Sequence, residues 1–167
     1  MFSGFGNVGV YKSFWLGLEA LHQLTSGGGY TRMRVEMYAN DSAWYSAEYD
    51  QFSVGNESTG YPLLNISGYS GDAGNMLWPS YGQSFSTFDS GGMQSSLAAT
   101  MQGGWWYSGY DYACLNGAFE YSVTTPVTGF YWISNYDDYH PPPPPLSHFA
   151  GVKPGRLLIS RIMIARP

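Results

Sequence analysis

The sequence predicts an α+β domain: a twisted, mainly antiparallel sheet with short helices and long loops. Three observations carry that expectation. Apolar residues recur at every second position in several stretches, which is the period of a half-buried strand. Only two stretches show a helical spacing. Finally, 22 glycines and 10 prolines punctuate the 167 residues and leave little room for long helices.

Taken in order, the first element is a helix. Phe14 to Leu24 places apolar side chains at Phe14, Leu18, Leu21 and Leu24, and Ser26-Gly27-Gly28-Gly29 ends it. Thr31 to Met37 reads Thr-Arg-Met-Arg-Val-Glu-Met, apolar in alternation with charge, hence a strand with one face buried. Trp44 to Val54 continues with closely spaced aromatics and is also strand-like. Tyr61 to Tyr69 carries a short strand before a turn at Gly71-Asp72. Asn75 to Gly92 has no period and reads as loop, whereas Ser95 to Met101 spells one short helical turn. Leu157 to Ala165, apolar with β-branched content, reads as a closing strand.

Residues 1–167 are one domain's worth of chain, enough to bury a core without cross-links. Apolar residues make up 44%, but 18% of the chain is aromatic and 11% charged, so Tyr, Trp and Phe carry the core rather than Leu and Ile. The formal charge is -5 and the 7 Lys and Arg form no stripe, which argues against a nucleic-acid partner and against binding a membrane surface through basic residues. No apolar run reaches membrane-spanning length, so no membrane insertion is expected. No charged-then-apolar leader opens the chain, which reads as a processed portion of something longer. Sequons at Asn40, Asn56 and Asn65 fit a secreted, extracellular glycoprotein. The lone Cys114 is open to three states: an intermolecular bridge, a free thiol, or a buried and inert one, the last being the expected state.

Catalytic signatures are missing. No G-x-S-x-G elbow, phosphate loop or dinucleotide fingerprint occurs. His22 falls in the first helix and reads as structural; His140 and His148 straddle a proline run without the short spacing of a metal pair. Asp137 and Asp138 are adjacent and in a strand face opposite ways. The chain is therefore expected not to be an enzyme. The run Pro141, Pro142, Pro143, Pro144, Pro145, preceded by Tyr139 and His140, locks a polyproline II rod of about 15 Å at about 3.1 Å per residue. As a stiff loop it is structural. As a preformed rod it docks into an aromatic groove at little entropic cost.

The stretch Gly103-Gly104-Trp105-Trp106-Tyr107, followed by Leu115-Asn116-Gly117, is the most specific in the chain. With Phe14-Trp15-Leu16-Gly17 before it, Gly129-Phe130-Tyr131-Trp132 after it and Ile164-Ala165-Arg166-Pro167 at the end, it resembles the C-terminal globular domain of fibrinogen. That resemblance runs through almost the whole chain. It implies a family of extracellular recognition modules.

The departures from the family pattern shape the functional expectation. The chain starts after the position of the family's disulfide-bearing N-terminal subdomain. The resemblance places the family's second disulfide at Leu97 and Tyr110, and neither is cysteine. The family's calcium loop falls on Asp89-Ser90-Gly91-Gly92-Met93, whose single carboxylate does not make a cage of six to eight hard oxygens, so no metal and no cofactor are expected. The cysteine-histidine pair of the lectin-like members falls on Tyr110-Asp111, and their downstream aromatic wall on Pro126-Val127. Asn135 to Gly155 forms a proline-bearing insertion where the family has a short turn.

These readings lead to an extracellular, non-catalytic module with a structural or adhesive role. Its partners are other copies of itself or extracellular glycoproteins and glycans, with two-fold contacts giving dimers and head-to-tail contacts giving filaments. The partner-docking residues are Tyr139, His140 and Pro141 to Pro145. The alternative is a secreted, calcium-independent lectin with a remodelled aromatic pocket at Tyr107, Tyr110, Asp111 and Tyr112, whose rings stack on sugar faces. Those tyrosines equally suit packing the space left by disulfide and metal.

Overall fold

A computed structural model describes residues 4–6, 13–39, 41–90, 94–109, 112–118, 130–132 and 155–167. Among these, the strands are β1 (Phe5–Gly6), β2 (Phe14–Trp15), β3 (Arg32–Ala39), β4 (Trp44–Tyr49), β5 (Gln51–Val54), β6 (Leu63–Ser67), β7 (Ser70–Gly71), β8 (Ala113–Cys114), β9 (Tyr131–Trp132) and β10 (Gly155–Ala165). Two helices, α1 (Leu18–Ser26) and α2 (Ser95–Met101), complete the set, with 3-10 turns at Glu57–Thr59 and Trp78–Ser80. Six strands form one antiparallel sheet in the order β7-β4-β3-β10-β9-β8, while β1-β2 and β5-β6 are separate two-stranded ladders.

The alternation in β3 sorts side chains as the sequence predicts. Met33, Val35, Met37 and Ala39 are buried, whereas Arg32 and Arg34 are exposed. The last strand, β10, lies in the middle of the sheet, pairing with β3 on one side and β9 on the other. A register shift between Leu157 and Ile159 leaves Leu158 and Ile159 both exposed.

The first helix begins later than its spacing suggests. Phe14 and Trp15 pair with Gly6 and Phe5 as strand, and Gly17 at φ 94 turns the chain into α1. Within α1, Leu18, Leu21 and Thr25 face the core. Thr25 Oγ1 donates to the Leu21 carbonyl at 2.7 Å and accepts the Val54 N–H at 3.2 Å, which ties α1 to β5. The stretch Trp44 to Val54 is two strands: β4 stays in the main sheet, and beyond Asp50 β5 leaves it to pair with β6. Asn75 to Gly92 is not wholly irregular, since Ser86 exchanges both backbone hydrogen bonds with Trp105 at 2.9 and 3.1 Å.

The interior is aromatic. Trp15 and Phe85 stack at 5.9 Å, Phe85 meets Trp106 edge-on at 5.0 Å, and Trp106 meets Trp105 edge-on at 5.4 Å. Such pairs contribute about 0.5–1.5 kcal/mol each beyond the area they bury. The glycines beside the tryptophans allow the approach. A Cβ on Gly103 would collide with the Asn116 carbonyl, and one on Gly104 would lie 2.6 Å from Phe85 Cε1. Asn116 Nδ2 also donates to the Gly104 carbonyl at 3.1 Å, so the Leu115-Asn116-Gly117 motif closes over the glycine pair.

Gly103→Ala is expected to lower stability by about 1–3 kcal/mol in urea melts, because backbone rather than a flexible side chain must yield. Gly27→Ala is the control: its Cβ would sit 3.7 Å from the nearest atom, and its effect stays below about 1 kcal/mol. Equal melting curves for the two variants would refute this account of the glycine pair.

Candidate functional site

The region that the sequence points to is the neighbourhood of the tryptophan pair. Tyr107 is 2% exposed, and its hydroxyl donates to the Gly103 carbonyl at 2.6 Å and lies 3.3 Å from Cys114 Sγ. It is a core residue, which corrects its assignment to a ligand pocket: a ring with both faces packed has none left for a sugar. Tyr112 is half-buried and packs against the same core, as does Leu97, at the position of the missing cross-link. Tyr110 and Asp111 lie outside the described residues. Cys114 is fully buried and in no disulfide, so it cannot form an intermolecular bridge in this fold.

Asp89 is held in a tight turn. The Thr87 hydroxyl donates to its Oδ1 at 2.6 Å, and that bond holds the carboxyl below the ordinary aspartate range. Thr87 and Ser90 exchange backbone hydrogen bonds at 2.6 and 3.2 Å. One carboxylate already accepting a hydroxyl proton does not fit the several anionic oxygens that calcium needs. Gly91, Gly92 and Met93 lie outside the described residues. Asp89 reads here as the cap of a turn.

Of the sequons, Asn40 lies outside the described residues. Asn56 precedes the 3-10 turn, exposed, its Oδ1 accepting from Ser58 Oγ at 2.8 Å. Asn65 is exposed on β6, and its Nδ2 donates to Ser53 Oγ at 3.1 Å. The partner-docking residues Tyr139, His140 and Pro141 to Pro145 lie outside the described residues. His22 Nδ1 sits 2.9 Å from the Val54 carbonyl, a contact that fastens α1 to β5.

Several exposed rings escape the sequence reading. Trp78 and Tyr81 stack on each other at 5.9 Å and 12°, with 46% and 54% of their surface in solvent. Phe88 is 74% exposed and Trp44 55%. Trp44 was findable: Ala47 and Tyr49 fix the inward phase of β4, so period two sends Trp44 outward. No such period runs through the turn holding Trp78 and Tyr81.

Comparison with known proteins agrees with this geometry. The family described as "Fibrinogen beta and gamma chains, C-terminal globular domain" matches residues 2–139, and the chain belongs to it. The chain is 37% identical to tenascin-R of Gallus gallus over 131 residues, and 38% identical to angiopoietin-4 of Mus musculus over 123 residues. These matches cover 77% and 72% of this chain but only 9% and 23% of the two relatives, so the chain spans less than a quarter of either. The fibrinogen-like globe domain of human ANGPTL2 superimposes with a TM-score of 0.75 at 27% identity, over 98% of this chain and 69% of that one.

One buried tyrosine makes the fold sensitive to pH. Tyr61, 1% exposed, donates its hydroxyl to Glu19 Oε2 at 3.0 Å. Burial, and then the bond to Glu19, push the Tyr61 phenol up to about 12. The unfolded chain releases that proton near pH 10, so this stabilisation is complete below about 10 and is lost as pH climbs from about 10 to 12. Glu19 runs the other way. The Gln23 amide, then Tyr61, hold its carboxyl below the usual range, so its contribution is present above the ordinary glutamate value and lost as pH falls through the lowered one. In thermal melts against pH, Tyr61→Phe should flatten the alkaline limb and Glu19→Gln the acid limb. Tyr49, raised well above 10 by burial, keeps the alkaline limb from vanishing. An unchanged alkaline slope in Tyr61→Phe would contradict the assignment.

Proposed function

We propose that this chain is a secreted, non-catalytic fibrinogen-type module with a structural or adhesive role, associating with copies of itself or with extracellular matrix glycoproteins, and that it does so without calcium. The observation that carries this reading is the sorting of aromatic rings. Tyr107 is withdrawn into the core, which takes one wall from the lectin-like pocket, while Trp78, Tyr81 and Phe88 are left in solvent. Exposed aromatic surface on a chain with 11% charged residues favours association. Membership of a family of recognition modules supports the non-catalytic half of the reading. The turn at Asp89, with one engaged carboxylate, supports independence from calcium. Among the described residues no helix is long and apolar enough to cross a membrane. The docking role falls to Tyr139, His140 and Pro141 to Pro145, since proline-rich sequences are recognised by exposed aromatic rings, of which Trp78 and Tyr81 are candidates.

Sedimentation velocity across a concentration series tests this. The expected result is a sedimentation coefficient that rises with concentration, is unchanged by chelator, and rises less in Trp78→Ala and in a chain with Pro141 to Pro145 replaced by Gly and Ser. A chain that stays monomeric at every concentration and is not retained on immobilised matrix glycoproteins would refute the adhesive role. Assembly that chelator abolishes would refute calcium independence.

A further inference from the structure

The outward face of the six-stranded sheet carries an ordered pattern separate from the tryptophan-pair region. Register places Ile159, Tyr38 and Trp44 side by side across β10, β3 and β4; the next outward row is Arg161, Glu36 and Ser46, and the one after it Met163, Arg34 and Glu48. Asp72 extends the middle row, its Oδ1 accepting the Ser46 N–H at 2.7 Å. An apolar row with two aromatics therefore borders a polar grid. Trp44 is 55% exposed, Ile159 52%, and the Tyr38 ring props Trp44 at 5.3 Å.

Ser46 is the shortest side chain in this grid and leaves a dip. The resulting cleft holds about 310 Å³ and is lined by Trp44, Ser46, Asp72, Arg34 and Arg161, among others. It is an open depression on the sheet face, not an enclosed cavity, so a ligand would lie across it. Most of its charges are already paired. Arg34 bonds Glu36 at 2.8 Å and also Glu48; Arg161 Nε reaches Glu36 at 2.7 Å. Two guanidiniums thus face the carboxylates of Glu36, Glu48 and Asp72, leaving the cleft near neutral and slightly acidic, unsuited to an anion. What it offers a ligand is hydrogen-bonding capacity: the Ser46 hydroxyl, Asp72 Oδ2, and guanidinium N–H groups beyond those spent on glutamate. A flat aromatic face beside spare donors and acceptors suits a neutral molecule with one apolar face and a rim of hydroxyls.

We propose that this sheet face binds a neutral glycan, with a pyranose ring stacked on Trp44 and its hydroxyls hydrogen-bonded by Arg34, Arg161, Ser46 and Asp72. The site is distinct from the tyrosines after the tryptophan pair and does not require self-association. Nitrogen-15 NMR titrations with chitotriose, cellotriose and mannotriose test it. At least one sugar should shift the Trp44 indole and the Arg34 and Arg161 Nε–H resonances. Trp44→Ala should weaken that binding about tenfold, and Ser46→Trp, which fills the dip, should abolish it. Both positions line an open cleft on the surface, and thermal melts matching the parent chain would show that the variants fold. Three results would overturn the proposal: no shift at these residues with any of the three sugars, unchanged binding in Trp44→Ala, or shifts that follow protein concentration instead of sugar. The last would mean that copies of the chain dock there. Sedimentation reads assembly separately, so the two proposals fail independently.

Discussion

The indole N–H of Trp106, donated to the Tyr61 carbonyl at 2.8 Å, is the bond on which the interior depends. Tyr61 sits at φ 50, in the left-handed region that costs a non-glycine residue about 1–3 kcal/mol. It stays there because it is held at three points. Its N–H donates to the Asn56 carbonyl at 3.0 Å, its carbonyl accepts Trp106, and its hydroxyl reaches Glu19 on α1. One residue therefore joins the first helix, the loop before β6 and the tryptophan pair. Trp105, by contrast, has its indole N–H buried without an acceptor among the described residues, so its backbone is pinned by Ser86 while its ring is held by packing. The difference explains why the glycine pair matters: packing that rests on shape fails once the backbones cannot approach.

A second constraint is topological. Because β10 lies between β3 and β9, the last residues of the chain complete the sheet that the early ones begin. Arg161 pairs with Glu36, an ion pair between residues 125 apart in sequence. Exposed pairs of this kind contribute little stability. Their effect is on register: a slip by one residue would send Arg161 inward and Ile162 outward. The apolar phase of β10 and the cross-strand charges select the same alignment, and that alignment sets Ile159, Tyr38 and Trp44 in one row.

Legibility in the sequence followed the length of each pattern. Eight alternating residues in β3 and the apolar run of β10 leave one reading, and the helix at Ser95–Met101 is where its spacing places it. Phe14 and Trp15 are strand although they read as helix, because two residues of strand next to a helix fit the helical period as well. β8 and β9, two residues each, have no period at all; only the long-range pairing with β10 and with each other makes them strands. The candidate pocket was harder. Tyr107-Ser108-Gly109-Tyr110 interleaves aromatic and small residues without a regular period, so it does not say which ring is inside. The answer lies in Gly103 and Cys114, which meet the Tyr107 hydroxyl and are set by contacts across the chain. Legibility ended where the position of a ring depends on near neighbours that are themselves placed by pairing farther along the chain, as Cys114 is by Tyr131.

The same aromatic chemistry therefore serves two ends, divided by phase. Inward rings fill the interior, and outward rings are left in solvent. Among the described residues the outward set is small. A stacked Trp78–Tyr81 pair is far less than the 1,200–2,000 Å² that a stable protein–protein interface buries in general. At about 25 cal/mol per Å² such a pair gives a weak contact, further reduced by the entropy of association. Weak single contacts hold when they are repeated, since tethering converts the second binding event into an intramolecular one. Under the proposed adhesive role, contacts of this size act in number rather than alone.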